Sequence, residues 1–218
     1  MRFLITAGPT REPIDPVRYL SNRSSGKMGY AIAEAALGNG DDVTLISGPV
    51  SLAAPPRARL IRVITSEQMH HAVHQHLDGC DVLVMCAAVA DYKPAKASPH
   101  KIKKGAAALI LELVPTRDIL TSIAAHERDF LVVGFAAETN DLEENARKKL
   151  LEKNCDLVVG NDVSQTGSGM ESDENEVTIF FRNGEIVKIP RSPKKNIARE
   201  LVKIVSNMRE KCLTKKTW

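Results

Sequence analysis

The stretch FLITAGPTREPIDPVRYLSNRSSGKMGYAIAEAA, Phe3 to Ala36, decides the fold. Phe3 to Ala7 is an apolar run of strand length, and Met28 to Leu37 is a run of small residues with helical spacing. Two clusters of small polar residues lie between them: Gly8-Pro9-Thr10 after the strand and Ser24-Ser25-Gly26 before the helix. A helix start presents free backbone N–H groups and the positive end of the helix dipole, which favour an anion. Gly8 and Ser24 to Gly26 leave room for phosphate oxygens, and Arg23 and Lys27 can add positive charge. The bland alternative is a loop whose glycines only serve a tight entry from strand to helix.

Neither common nucleotide loop is present. A Walker A loop needs G-x-x-x-x-G-K-[ST], but Ser21 stands at the first glycine and Met28 follows Lys27. In Ser24-x-Gly26-x-x-Gly29 a serine replaces the first glycine of a dinucleotide fingerprint, well downstream of the strand. The second strand ends in Ser47-Gly48-Pro49, not at a ribose-binding acid.

Outward from this segment, short apolar runs alternate with helical patterns. Strands are expected at Val43–Ser47, Ile61–Ile64, Val82–Ala88, Leu131–Phe135 and Leu157–Gly160. Helices are expected at Glu67–Leu77, capped by Thr65 with Gln68 in a capping box, and at Leu142–Glu152. The strands are apolar throughout, as in parallel strands buried on both faces. The expected fold is α/β: a Rossmann-like, doubly wound, mainly parallel sheet that binds ligands at the carboxyl ends of its strands. Val177–Phe181 and Glu185–Ile189 flank Asn183-Gly184, a strong signal for an added antiparallel hairpin, and Ser192-Pro193 is read as the start of a last helix. Asp91 to Ala108 is rich in Lys, Pro and Ala and reads as a functional flap leading to a strand at Leu109–Leu113. The basic tail, residues 211–218, is expected to fray. The whole chain, 1–218, reads as a single domain without repeats.

Composition sets the class. The chain has 218 residues, 43% hydrophobic and 26% charged, enough for a proper core. A net charge of +3 is too mild for nucleic acid and sufficient for a small anionic substrate. No run reaches membrane-spanning length and no leader is visible, so a soluble, cytoplasmic protein is expected. Cys80, Cys86, Cys155 and Cys212 are widely spaced and read as reduced thiols.

Further candidate residues fall at strand ends. Small residues in Ala87-Ala88-Val89-Ala90 leave space for a ligand ring, and Asp91 can accept from an exocyclic amino group or simply cap a turn. Lys101, Lys103 and Lys104 can fold over triphosphate oxygens or face solvent. Phe135 can stack on a base or belong to the core. Lys149 and Lys153 share a helix face and can reach phosphates, as Arg147 and Lys148 nearby can, or that face is solvated. Asn161-Asp162-Val163-Ser164 can touch substrate or cap the next segment of chain. His70, His71, His74 and His76 read as a solvent-facing helix, since no acidic third metal ligand accompanies them.

Taken together, the segments Ile5–Ala36, Cys86–Pro94, Lys101–Lys104, Val133–Asn140 and Asn161–Ser164 closely resemble phosphopantothenate–cysteine ligase in its bacterial CTP-using form. The match is collinear over nearly the whole chain. In many bacteria such a domain follows a flavin-dependent decarboxylase in one polypeptide; here the sequence begins at the first strand. The resemblance implies ligation of 4′-phosphopantothenate to L-cysteine through an acyl-cytidylate, with CTP as co-substrate, Mg²⁺ on its triphosphate, and a homodimer. It implies that Asn22 contacts the activated carbonyl and that Lys101 serves the first half-reaction. It places Met85, Cys86, Ala87, Asp91 and Phe135 around the cytidine, and Lys149 and Lys153 on the nucleotide. Gly8 and Ser24, Ser25, Gly26 and Lys27 line the phosphates. The family often has Pro before the Asp-Ile of a nucleotide-side loop, where this chain has Thr116-Arg117-Asp118-Ile119, so Arg117 is expected to alter that loop. The rivals are an NAD(P)-dependent oxidoreductase, favoured only by the fold, and a non-catalytic nucleotide-binding module.

Overall fold

A computed structural model describes residues 1–105, 108–125, 127–162 and 171–215, with only the backbone at 213 and 215. The chain runs β1 (Arg2–Ala7), β2 (Arg11–Pro13), β3 (Tyr19–Ser21), α1 (Lys27–Gly38), β4 (Asp42–Ser47), β5 (Arg59–Arg62), α2 (Ser66–Gln75) and β6 (Val82–Met85). It continues through β7 (Tyr92–Pro94), β8 (Leu113–Pro115), α3 (Ile119–Ala124), β9 (Leu131–Glu138), α4 (Leu142–Glu152), β10 (Leu157–Asp162), β11 (Glu174–Phe181), β12 (Ile186–Pro193) and α5 (Lys194–Lys215).

The main sheet has the order β12-β11-β10-β9-β6-β1-β4-β5. The six strands from β10 to β5 are parallel, and β11 and β12 extend one edge antiparallel. This is the expected Rossmann-like architecture with its added hairpin. Strand order reverses between β1 and β6, so a crevice opens at their carboxyl ends.

Alternation of side chains along buried strands creates two cores. Phe3, Ile5, Val82 and Val84 meet Ile32, Ala33 and Ala36 of α1 and Ile197, Leu201 and Val205 of α5. Leu4, Leu83 and Val132 meet Met69 and Val73 of α2, Ile123 of α3 and Leu150 of α4. The cleft is thereby flanked by α1 and α5 on one side and by α3 and α4 on the other.

Several local expectations are corrected. The fourth strand stops at Met85 rather than Ala88, because the Thr6 hydroxyl accepts from Ala87 N at 3.1 Å where a backbone partner would continue the ladder. The edge strand β5 is Arg59–Arg62, not Ile61–Ile64; Ile64 instead offers its carbonyl to Arg11 N. The strand expected at Leu109–Leu113 falls at Leu113–Pro115 and pairs with β7, while Leu109 and Ile110 are exposed. Ser192 and Pro193 close β12 opposite Asn175 and Glu174, so α5 begins at Lys194. The tail is helical through Lys215, and 216–218 lie outside the described residues. So do Ala106 and Ala107 of the flap. The Thr65–Gln68 capping box is present as read.

The tightest joint is between α1 and β1. A Cβ on Gly29 would come within 2.6 Å of the Ala7 Cβ and 3.1 Å of the Thr6 carbonyl. Only glycine lets the first turn of α1 press this closely on the strand. Gly29→Ala is therefore expected to destabilise the fold by about 1–3 kcal/mol in urea unfolding. Gly38→Ala serves as the control, since its Cβ would meet nothing within 4 Å and helix propensity favours alanine. Equal midpoints for the two variants would refute the close approach.

Candidate active site

The carboxyl ends of β6, β9 and β10 form the floor of a cleft of about 800 Å³, bounded by the start of α1 and the loops before and after it. This size suits a small-molecule site. Scattered sequence segments converge here. Asn22, Ser24, Gly26 and Lys27 come from the first loop; Met85, Cys86, Ala87 and Asp91 from the end of β6. Thr116, Arg117, Asp118 and Ile119 come from the start of α3, Phe135 from β9, and Lys149 and Lys153 from α4.

Three anticipated residues do not line it. Gly8, with φ of +74°, packs behind Gly26: its Cα lies 3.4 Å from where a Gly26 Cβ would stand. Ser25 does not line the cleft either. Lys101 is exposed on the flap outside the cleft. The flap is docked on the loop before β3. Ser98 N donates to Ile14 O at 2.9 Å, Ile102 N donates to Asp15 Oδ2 at 3.1 Å, and Arg18 donates to both Asp15 and Ile102 O. The Arg18 guanidinium and three backbone N–H groups, outweighing burial, hold the Asp15 carboxyl well below the usual carboxylate range.

Backbone geometry separates the cleft from the sheet. Ala88 N donates to Gly8 O and Thr10 N to Ala88 O, so β1 and β6 meet again beyond the looped Cys86-Ala87. Asn22 Nδ2 donates to Ala88 O at 3.0 Å and Val89 O at 3.2 Å. Both amide hydrogens are thus engaged, and Oδ1 is the group left for a ligand. Thr116 donates its hydroxyl to Ala90 O at 2.6 Å and its N–H to Asp91 O at 2.8 Å. That clamp ties the Asp91 loop to the start of α3.

Three of the cleft lysines, Lys27, Lys149 and Lys153, rest on oxygen partners. Lys27 bonds Asp173 Oδ1 at 2.7 Å and Glu171 O at 2.9 Å, and Arg23 pairs with Glu171 at 3.2 Å. These lie on a segment with no recognisable motif in the sequence. Lys149 donates to Phe135 O, and its burial pushes its pKa below that of an ordinary lysine. Lys153 pairs with Asp118 at 2.8 Å and donates to Thr121 Oγ1 at 2.8 Å. Arg117 turns partly away to Glu67 at 3.5 Å, and Arg147 pairs with Glu143 outside the cleft. Burial pushes the Cys86 thiol up to about 12, so it is no nucleophile at neutral pH.

The start of α1 has no side-chain cap and no acid in its first turn. The sequence reading missed Asn175 and Lys194, which line the cleft at 4% and 5% exposure. Asn161 lines it too; Val163 and Ser164 lie outside the described residues. Among the described residues no three His, Cys, Asp or Glu converge to hold a metal, and His74 and His76 bond Ser122 Oγ and Ala72 O. No described helix is long and apolar enough to cross a membrane.

Comparison with known proteins places this geometry. The family model of the DNA/pantothenate metabolism flavoprotein C-terminal domain matches residues 1–208. The chain is 47% identical over 216 residues to the coenzyme A biosynthesis bifunctional protein CoaBC of Escherichia coli (strain K12), covering 97% of this chain and 53% of that protein. It therefore spans about half the length of that relative. A crystal structure of the C-terminal domain of CoaBC superposes with a TM-score of 0.83 at 43% identity, covering 96% of both chains. A Cab2 variant in complex with phosphopantothenate-cysteine shares the fold at a TM-score of 0.81 and 19% identity, covering 100% of this chain and 89% of that one.

The Asp118–Lys153 pair gives a pH test. Burial raises the Asp118 pKa, but the Lys153 and Thr121 N–H bonds outweigh it and hold the folded value below 3.8. The pair's contribution is then present above 3.8 and lost as pH falls through the folded value. With Asp118 half-exposed, Asp118→Asn is expected to cost less than about 1 kcal/mol at pH 7. Denaturant melts should show that difference shrinking as pH is lowered below 3.8; a constant difference would sink the assignment.

Proposed function

The chain belongs to the DNA/pantothenate metabolism flavoprotein C-terminal domain family, and from that premise we propose that it is a phosphopantothenate–cysteine ligase of coenzyme A biosynthesis. One observation carries this reading: segments far apart in sequence, each resembling that ligase, line one cleft at the switch point of the sheet.

The reaction proceeds in two steps. The carboxylate of 4′-phosphopantothenate attacks the α-phosphorus of CTP, forming an acyl-cytidylate and expelling pyrophosphate. The amino group of L-cysteine then attacks the acyl carbonyl, loses a proton and expels CMP, leaving the amide. The chain's contribution is positioning and charge stabilisation. Phe135 and residues Met85 to Ala87 offer walls for a pyrimidine, and Asp91 an acceptor for its amino group. Lysines on both sides screen phosphate charge. No protein thiol takes part. Mg²⁺ would arrive on the triphosphate, which suits a cleft with isolated carboxylates, since magnesium takes one or two carboxylates beside phosphate oxygens.

Asn22 would act on the acyl carbonyl by exchanging one of its backbone carbonyl partners for the ligand. Lys101 would reach the triphosphate when the flap closes. A homodimer is supported by exposed Val17, Tyr19, Tyr92, Ile110 and Leu113 on and around the two small ladders. A cytoplasmic location follows from the proposed pathway. An NAD(P) oxidoreductase is disfavoured, because β4 ends in Ser47, whose hydroxyl bonds Tyr30 and Gly48 O where a ribose-binding acid would stand.

Pyrophosphate release should require 4′-phosphopantothenate and be faster with CTP than with ATP. NADPH binding without CTP binding in calorimetry would overturn the assignment, and binding without turnover would favour a non-catalytic module. Asn22→Ala is expected to slow the second step by about 10²–10³ and let acyl-cytidylate accumulate in mass spectra; normal turnover would remove Asn22 from the chemistry. Lys101→Gln is expected to block pyrophosphate release itself, and a wild-type burst from that variant would refute its role.

A further inference from the structure

A second cavity, of about 850 Å³, opens at the carboxyl ends of β4 and β5, against α2. It shares no lining residue with the cleft. Val50 forms the partition: its Cγ1 stands 2.8 Å from where a Cβ on Gly8 or Gly26 would lie, so both glycines back onto this second space. Tyr30, Val50, Leu52, Val63, Ile64 and Ala72 supply apolar walls. The Tyr30 hydroxyl is engaged with Ser47 Oγ at 3.1 Å, and Ser47 donates to Gly48 O at 2.8 Å, so that wall offers a ring face rather than a free donor. The ligase chemistry uses none of the cavity's residues.

Apolar walls alone do not select a ligand; here the charge does. Arg11 lines the cavity, and its Nε is buried without a hydrogen-bond partner. A buried orphan donor is costly and calls for an acceptor from outside the chain. The Arg11 guanidinium carbon lies 4.5 Å from the centroid of the Tyr19 ring, a contact that orients the planar fork but cancels no charge. Neither nearby acid answers it. Glu12, the next residue, accepts from Ser66 N at 2.7 Å, and Glu67, which lines the cavity, pairs with Arg117 at 3.5 Å. Among the described residues no carboxylate pairs with Arg11. The exposed Arg62 adds a second positive charge to the lining.

We propose that this cavity is a second ligand site, which takes a small carboxylate carried on an apolar body. A guanidinium fork matches the two oxygens of a carboxylate, the buried Nε gains its acceptor, and the walls cover the carbon skeleton. A phosphate fits less well. The adjoining start of α2 is closed, since Gln68 N is taken by Thr65 Oγ1 and Ser66 N by Glu12, which leaves little free N–H for further oxygens. Glu67 would also repel a second negative charge.

The test is a methyl NMR titration of the full chain with benzoate and with 4-methylpentanoate, run beside their neutral amides and inorganic phosphate. Each acid should move the Val50, Val63 and Ile64 methyl signals saturably, with a Kd of about 1 mM, as expected for ligands of this size. Each amide should bind about 10-fold more weakly, because the charge-assisted bonds are gone. Phosphate should leave these signals in place. Arg11→Met should abolish the difference between acid and amide, and Arg11→Lys should restore only part of it, since an ammonium lacks the fork. Equal binding of acid and amide to wild type overturns the proposal, as does an Arg11→Met variant that still discriminates. So do phosphate shifts as large as those of the acids, an absence of saturable shifts, or shifts confined to the cleft methyls of Met85, Ile119 and Leu120. If Arg11→Met does not fold, the wild-type comparison of acid with amide decides alone.

Discussion

The cleft exists because β1 and β6 pair up to Met85, part, and pair again at Pro9 and Ala88. The Thr6 hydroxyl makes the parting possible by taking Ala87 N, which would otherwise lose its ladder partner inside the protein. Cys86 and Ala87 then lie at the cleft floor rather than in the sheet. The rejoined strands carry the carbonyls of Ala88 and Val89 that fix Asn22. Gly29 brings α1 against β1 closely enough for its free N–H groups to border the same space. Wall, floor and Asn22 therefore follow from one local departure from regular pairing.

Much of this was legible in the sequence. Apolar strands such as Val82–Met85 and Leu157–Asp162 are buried on both faces, and that burial is what the composition of the runs records. Thr65 and Gln68 form a local cap, and Asn183-Gly184 a local turn, so neighbours in sequence sufficed to read them. The errors arose where non-local pairing decides. Leu109 and Ile110 look like strand residues, yet the partner β7 pairs with Leu113–Pro115 instead. Ser192-Pro193 has the composition of a helix start, but both residues are still held opposite β11.

The candidate site shows the same division. Asn22, Asp91, Phe135 and Lys153 were readable because the family resemblance marks them, and all four line the cleft. Gly8 and Ser25 lie in the same motif, but a loop has an inside, and a motif does not say which residues face it. Lys194 had no motif at all. Its place depends on the hairpin returning the chain to the cleft, which leaves no local pattern.

Three of the cleft lysines share an arrangement that bears on the cost of keeping cations there. Lys27 rests on Asp173, Lys153 on Asp118, and Lys149 on the Phe135 carbonyl. An unpaired cation in a half-buried cleft would cost desolvation without return. Held on these oxygens, each lysine is partly desolvated and oriented before any ligand arrives. A phosphate would then exchange one set of oxygens for another instead of ordering free side chains. The exchange is favourable only if the arriving anion carries more charge than the partner it displaces. The largely exposed Asp173 and the half-exposed Asp118 lower the cost of that exchange, because water can solvate them when the lysine turns to a ligand.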